Sequence, residues 1–166
     1  SLLQAHLLRQ RLAPYAGFSR VYFAPRIPQK KLDAALGNYA GGVNADEVLV
    51  LVDITVFGGG KEGIVLTERG MYSKELMEGR ARSVWADVRE ITARGTVVWT
   101  NGHKLIDCTM VDKPELQRLF TVVQEFVELL RGSADPSAAD TQGGAARQAS
   151  AHRPAGAGVG LAGPGG

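Results

Sequence analysis

Cysteine and histidine are scarce in this sequence, which leaves few means of covalent or metal-based chemistry. The 166 residues include one cysteine, Cys108, and three histidines, at positions 6, 103 and 152. A single cysteine cannot form a disulfide within the chain, and the histidines are too widely separated to indicate a metal-ligand cluster. We therefore expect no cofactor, no metal site and a reducing, cytoplasmic location.

Long apolar runs and an excess of charge of one sign are also missing. Polar residues or glycine interrupt every apolar stretch before it reaches the roughly 18 residues needed to span a membrane. The formal net charge is only +2, with 22% charged residues, which gives no general support for nucleic-acid binding. The sequence predicts no transmembrane segment and no nucleic-acid partner, and any membrane contact should be peripheral.

No group of residues has the spacing of a catalytic or phosphate-binding site. Cys108 lies in an apolar, strand-like stretch without a neighbouring base. The glycines at 58–60 and Lys61 are followed by Glu62 and a predicted strand, whereas a Walker loop continues with Ser or Thr and a helix. This glycine-rich segment is better interpreted as a hairpin turn, and we expect a protein that is not an enzyme.

One amphipathic helix is the clearest element of the sequence. Asp112 and Glu115, with Pro114 between them, are typical of a helix start, and Gly132 stands where a C-terminal cap is expected. From residue 133 onward the composition changes to Ala, Gly, Ser, Pro and Gln, which predicts a disordered tail over 133–166. Apolar residues recur at steps of three and four in the helix: Leu116, Leu119, Phe120, Val123, Phe126, Val127 and Leu130.

The middle of the sequence predicts antiparallel strands. Between Glu47 and Thr109 the apolar residues follow a period of two, and Asn101-Gly102 favours a tight hairpin turn. Upstream, the segments 2–12 and 28–39 both have helical patterns. Helices, then strands, then one helix indicate an α+β fold with an antiparallel sheet. The predicted strands are 48–57, 63–67, 71–76, 84–86, 88–92, 96–100 and 103–108.

The stretch from Ile64 to Tyr72 carries a resemblance to a known family. Its pattern of Ile, Val, Leu and Thr, followed by Arg69, Gly70, Met71 and Tyr72, resembles the opening strands of bacterial pleckstrin-homology-like (GRAM-like) domains. The resemblance covers about residues 43–131. It implies a strongly bent antiparallel sheet or partial barrel of about seven strands, closed by the C-terminal helix and preceded here by N-terminal helices. It implies no particular ligand.

The N-terminal 42 residues differ from the rest of the chain, which predicts a separate helical extension ahead of a domain at 43–132. They hold six basic residues and a single acidic one, Asp33, together with many large apolar side chains. We expect this extension to pack on a neighbouring surface, either its own sheet or that of a second copy in a homodimer. The candidate contact residues are Leu8, Arg9, Arg11 and Leu12.

Two binding functions are compatible with these patterns. The first is a non-catalytic module for protein–protein interaction, which contacts its partner through a sheet edge or through the groove beside the helix. The alternative is peripheral binding of lipid or another anionic ligand, because eukaryotic pleckstrin-homology relatives often hold lipid head groups near their first three strands. The basic cluster for that alternative is Lys61, Lys74, Arg80 and Arg82, interleaved with several glutamates.

Overall fold

Three helices and eight strands are found in the residues that the computed structural model describes, 2–15 and 19–134, with only the backbone described at 2–5, 133 and 134. The helices are α1 (Leu2–Leu12), α2 (Gln29–Asn38) and α3 (Lys113–Ala134). The α+β class is confirmed. The strands are β1 (Val21–Phe23), β2 (Val48–Asp53), β3 (Gly63–Thr67), β4 (Gly70–Lys74), β5 (Arg80–Val84), β6 (Ile91–Arg94), β7 (Val97–Thr100) and β8 (His103–Asp107).

The strands divide into two antiparallel sheets and not into one continuous bent sheet. The larger sheet has the order β1-β2-β3-β4-β5, and the smaller has the order β6-β7-β8. Between them, the segment predicted as a strand at 84–86 instead forms a 3-10 turn at Trp85–Asp87. The indole of Trp85 donates a 2.9 Å hydrogen bond to the carbonyl of Thr67, which fixes this turn against the larger sheet. Within the described part of the chain the strands do not close into a barrel.

The first long strand ends earlier than its apolar pattern predicts. β2 stops at Asp53 and not at residue 57, because the Asp53 side chain is held in a buried ion pair with Lys31. Gly58 and Gly60 then have positive φ angles of 76° and 77°, which suit a loop and not an extended strand.

Helix α3 begins where its sequence signals predict and ends later. The carboxylate of Asp112 accepts a 3.2 Å hydrogen bond from the backbone N–H of Glu115, the contact expected of an N-cap. The helix runs through Gly132 to Ala134, so the predicted cap at Gly132 is wrong. The tail predicted from residue 133 lies outside the described residues from 135 onward.

The five-stranded sheet is covered by different layers on its two faces. One face packs with α1, α3 and the smaller sheet around a buried core that includes Leu66, Phe120 and Phe126. On the other face, α2 covers the first strands, with Ala35 packed near Leu51. Helix α1 belongs to the first core, because Leu8 has no exposed surface there. The described residues up to Arg131 belong to one compact unit.

Candidate functional site

A buried ion pair fixes the base of the β2–β3 connection. Lys31 of α2 donates to Asp53 at 2.5 Å and to the carbonyl of Gly58 at 2.6 Å. The other carboxylate oxygen of Asp53 accepts from the hydroxyl and the backbone N–H of Thr55, at 2.5 and 2.9 Å. Asp53 has no exposed side-chain surface. The connection is therefore tied to α2 as well as to the strands that it joins.

The protonation state of Asp53 follows from two opposing effects. Burial raises its pKa, whereas the hydrogen bonds from Lys31 and Thr55 and the charge of Lys31 lower it; the net result is a pKa below the usual value. The carboxylate is consequently ionised and paired at neutral pH. This arrangement positions the loop, and both Lys31 and Asp53 are engaged by partners within the chain.

The basic cluster is divided between a strand pair and a loop. Lys74 lies opposite Arg80, and Tyr72 opposite Arg82, in the β4–β5 register, so their side chains share one face of the sheet. The guanidinium of Arg82 lies 5.7 Å from the centre of the Tyr72 ring. Lys61 is exposed on the β2–β3 connection. Lys74 is 4.0 Å from Glu62, so an acidic neighbour offsets part of the positive charge.

An open cleft adjoins this face of the sheet. Its volume is about 880 Å³. Arg9, which contributes to its wall, is bonded to Glu68 at 2.9 Å. Arg69 and Arg82 also line the cleft and take part in none of the ion pairs found among the described residues. The cleft thus presents two arginines outside the ion pairs, beside the carboxylates of Asp46 and Glu47, which also line it.

Strand β5 presents a free backbone edge beside the cleft. The N–H of Trp85 donates to the carbonyl of Arg69 at 3.1 Å. Since hydrogen-bonded and non-hydrogen-bonded pairs alternate along an antiparallel ladder, the bonded residues of β5 are Ala81 and Ser83. Arg80, Arg82 and Val84 therefore direct their N–H and C=O groups away from β4. β5 is the last strand of the sheet order in the described chain.

The groove beside the helix is less available to an extended partner. It lies between β6 and α3 and has a volume of about 440 Å³. The side chain of Gln124 on α3 accepts a 2.7 Å hydrogen bond from the backbone N–H of Ile91. Hydrogen-bonded and non-hydrogen-bonded pairs also alternate along the β6–β7 ladder. The backbone N–H groups of Ile91 and Ala93 are the two that point away from β7. Part of the β6 edge is therefore already occupied by the helix.

The candidate contact residues of the extension are engaged within the same chain. Leu8 and Leu12 are buried in the main core. Arg9 pairs with Glu68, and Arg11 with Glu125 at 3.2 Å. In this structure α1 therefore packs on its own chain, and a homodimer that exchanges this segment stays a prediction.

Cys108 is buried and has no free thiolate to offer. Burial raises the pKa of the Cys108 thiol to about 12, assisted by the charges of Asp107 and Glu75, so the thiol is protonated and a poor nucleophile. In the described ranges, no three His, Cys, Asp or Glu residues are placed to hold a metal ion. Among the described helices, none combines the length and apolar character of a membrane span.

The free edge of β5 does not emerge from sequence reasoning. The segment 80–84 alternates Arg80 and Arg82 with small residues. This alternation is the sequence feature that could indicate a strand, but the arginines by themselves indicate only a basic cluster.

No family model, curated protein or solved structure matches this chain.

Proposed function

We propose that residues 43–131 form a bacterial pleckstrin-homology-like (GRAM-like) domain that acts as a non-catalytic protein-interaction module. Seven strands, β2 to β8, followed by the single helix α3, support this proposal. So does Gly70 of the motif, where a Cβ would lie 2.3 Å from the carbonyl oxygen of Ser83. Only glycine allows strands β4 and β5 to approach this closely.

The partner is an extended protein segment that adds a strand to β5. The outward N–H and C=O groups of Arg80, Arg82 and Val84 carry this proposal. Each backbone hydrogen bond that a new strand forms contributes roughly 0.5–1.5 kcal/mol, and main-chain pairing of this kind is a common mode of peptide recognition.

The charge of the edge strand favours an acidic segment. Arg80 and Arg82 are both exposed and lie on the same face of β5, so acidic side chains at alternate positions of the partner would face them. Two copies of β5 would instead bring arginines opposite each other, which is unfavourable. The partner is thus a different, acidic chain and not a second copy bound through this edge.

Binding of a labelled peptide with alternating glutamate and valine tests the proposal. We expect Arg82→Glu to weaken binding about tenfold, because it reverses a charge facing the peptide. Lys113→Glu, at an exposed position on α3, makes the same charge change elsewhere and should leave binding unaltered.

N-methylated peptides provide a second test of strand addition at β5. In an added strand, the backbone N–H groups of every second residue face β5. Methylation of these residues removes the N–H groups that pair with β5, whereas methylation of the other residues leaves those groups intact. We expect only the first peptide to lose binding. Equal binding of the two peptides, or equal effects of Arg82→Glu and Lys113→Glu, would exclude strand addition at β5.

The basic cluster supports the anionic-lipid alternative less well. Glu62 lies beside Lys74, and Glu75 pairs with Lys104 at 3.5 Å. Lys61, Arg80 and Arg82 are the members that are exposed and outside the ion pairs of the described residues. At about 1 kcal/mol per basic residue near an anionic surface, charge alone provides weak attraction.

A further inference from the structure

The cleft beside β5 contains three charged side chains that have no ion-pair partner. Its wall includes Arg69, Arg82 and Asp46, and all three are exposed. None of them takes part in the ion pairs found among the described residues. Two positive charges and one negative charge are thus available to a ligand in one cleft of about 880 Å³.

The other acidic groups of the cleft are already engaged within the chain. The carboxylate of Glu68 lies 2.9 Å from the guanidinium of Arg9. The carboxylate of Glu47 accepts a 2.8 Å hydrogen bond from the backbone N–H of Asn44. Among the described residues that line the cleft, Asp46 is therefore the carboxylate that remains for a cation from outside.

The strand register places Asp46 at the same end of the sheet as the last residue of β5. Asp46 lies in a single 3-10 turn directly before β2 begins. The start of β2 pairs with the end of β3, and the start of β4 pairs with Val84 at the end of β5. The β3–β4 connection, which contains Arg69, joins these two pairs. A segment paired with β5 therefore reaches the cleft beyond Val84.

The direction of the added strand decides which end of the partner reaches the cleft. All four strand pairs of the larger sheet are antiparallel, and antiparallel pairing is slightly more stable per residue than parallel pairing. Antiparallel addition to β5 places the N-terminal end of the partner beyond Val84.

The spacing of the strands sets how much of the partner is needed to reach Asp46. An added strand and β2 are separated by four strand spacings, about 19 Å. Four extended residues span about 13 Å of that distance, and the flexible four-carbon stem of a lysine covers the rest. A basic residue about four positions ahead of the paired stretch can therefore contact Asp46.

A small anion fits these observations less well than a segment that carries both signs of charge. Phosphate, for example, would pair with Arg69 and Arg82 but would be repelled by Asp46, and it would leave the outward N–H and C=O groups of β5 unused. A segment with acidic side chains and one basic side chain places a charge of opposite sign beside each of the three.

We propose that Asp46 binds a basic side chain of the partner, located about four residues N-terminal to the acidic stretch that pairs with β5. The residues between the basic side chain and the paired stretch cross the cleft, and the acidic side chains face Arg69 and Arg82. This inference rests on the proposed strand addition at β5. It adds the direction of the partner and a second charge requirement.

Two labelled peptides of identical composition, both capped at their ends, test this inference with the full chain. Each contains the alternating glutamate and valine stretch, with a lysine four residues before it in one peptide and four residues after it in the other. Wild type should bind the peptide with the leading lysine more tightly. The readout is the ratio of the two dissociation constants, because a general effect of charge changes both alike.

Asp46→Asn should reduce the preference for the leading lysine about two- to fivefold, the range expected of an exposed ion pair. Asp33→Asn is the matched control, since it makes the same change at an exposed position of α2. Asp33 lies two residues from Lys31, which binds Asp53 at the opposite end of β2. Asp33→Asn should retain the full preference.

The outcomes separate this inference from the strand addition on which it rests. A preference that Asp46→Asn leaves unchanged, or that Asp33→Asn reduces equally, would overturn the role of Asp46 and leave strand addition in place. Tighter binding of the trailing-lysine peptide to wild type would overturn the antiparallel direction. Absence of binding by both peptides would reject strand addition, and this inference with it.

Discussion

Among single residues, Lys31 and Asp53 connect a helix, a strand and a loop at one point. A Cβ placed on Gly60 would lie 2.9 Å from the backbone of Lys31, so the loop passes directly against α2. Asp53 is fully buried, and its charge is compensated by Lys31. Removal of one member of such a pair leaves an uncompensated charge in the interior, which costs more than the pair contributes.

Lys31→Met tests this pair, and Lys30→Met is its control at an exposed neighbouring lysine. We expect Lys31→Met to lower the free energy of unfolding by about 3–5 kcal/mol near neutral pH, and Lys30→Met to change it by less than about 0.5 kcal/mol. Urea titration of both variants measures the difference. Equal small effects would show that the pair does not hold the loop.

The same pair predicts a pH dependence with a definite sign. The pKa of Asp53 is lowered in the folded state. Its contribution to stability is therefore complete above the unfolded value of about 3.9, and it is lost as the pH falls through the folded value. In Lys31→Met the buried carboxylate of Asp53 lacks its partner. Protonation of Asp53 then removes the uncompensated charge and reduces the destabilisation of the variant. We expect the difference in stability between wild type and Lys31→Met to shrink in urea titrations as the pH is lowered, and a constant difference would contradict this account.

Gly63 illustrates a second constraint at the residue scale. Its φ angle is 151°, and a Cβ there would lie 1.9 Å from the carbonyl oxygen of Val52. Gly63→Ala should therefore destabilise the protein by more than about 3 kcal/mol. Gly59 provides the matched substitution, because a Cβ there would meet nothing within 4 Å, and Gly59→Ala should change the thermal midpoint little. Similar midpoints for the two variants would refute the close approach.

At the scale of elements, α1 is part of the main core and not a detachable arm. Leu8 is fully buried, whereas Arg9 forms a surface pair with Glu68. We expect Leu8→Ala to cost about 2–5 kcal/mol and Arg9→Ala less than about 1 kcal/mol, as measured by chemical unfolding. If Leu8→Ala were as mild as Arg9→Ala, α1 would contribute no essential packing.

The elements with strong local patterns are predictable from the sequence, and those defined by tertiary contacts are not. The hairpin around Asn101-Gly102, strand β3 and the stripe of α3 carry their own periodicity and turn signals, and all three predictions are confirmed. The prediction misses β1, which has only three residues and depends on β2 for its pairing.

The missed parts of the candidate site have a similar cause. Strand β5 is rich in arginine and lies at an edge, so it lacks the apolar alternation by which strands are recognised. The sequence pattern places Phe57 in a strand because apolar residues continue past Asp53, and only the buried pair with Lys31 ends that strand. Sequence reasoning identifies the basic residues of β4 and β5 but not the free edge of β5 or the exposed apolar residues in the connections beside it.

At the scale of the whole molecule, the part of the five-stranded sheet that packs in the core differs from the part proposed for binding. Its two faces are covered around β1 to β3, whereas the edge of β5 and the apolar residues of the β2–β3 and β4–β5 connections remain exposed. Val56, Phe57, Leu76 and Met77 are not needed by the core.

Amide hydrogen exchange, resolved by residue with NMR, tests strand addition at β5 most directly. In the free protein the N–H groups of Arg80, Arg82 and Val84 should exchange quickly, while those of Ala81 and Ser83 are protected by β4. Saturation with the acidic extended peptide should slow exchange at the first three residues and leave the other two unchanged. Protection confined to other parts of the molecule, or none at all at Arg80, Arg82 and Val84, would contradict the proposal that β5 receives the partner.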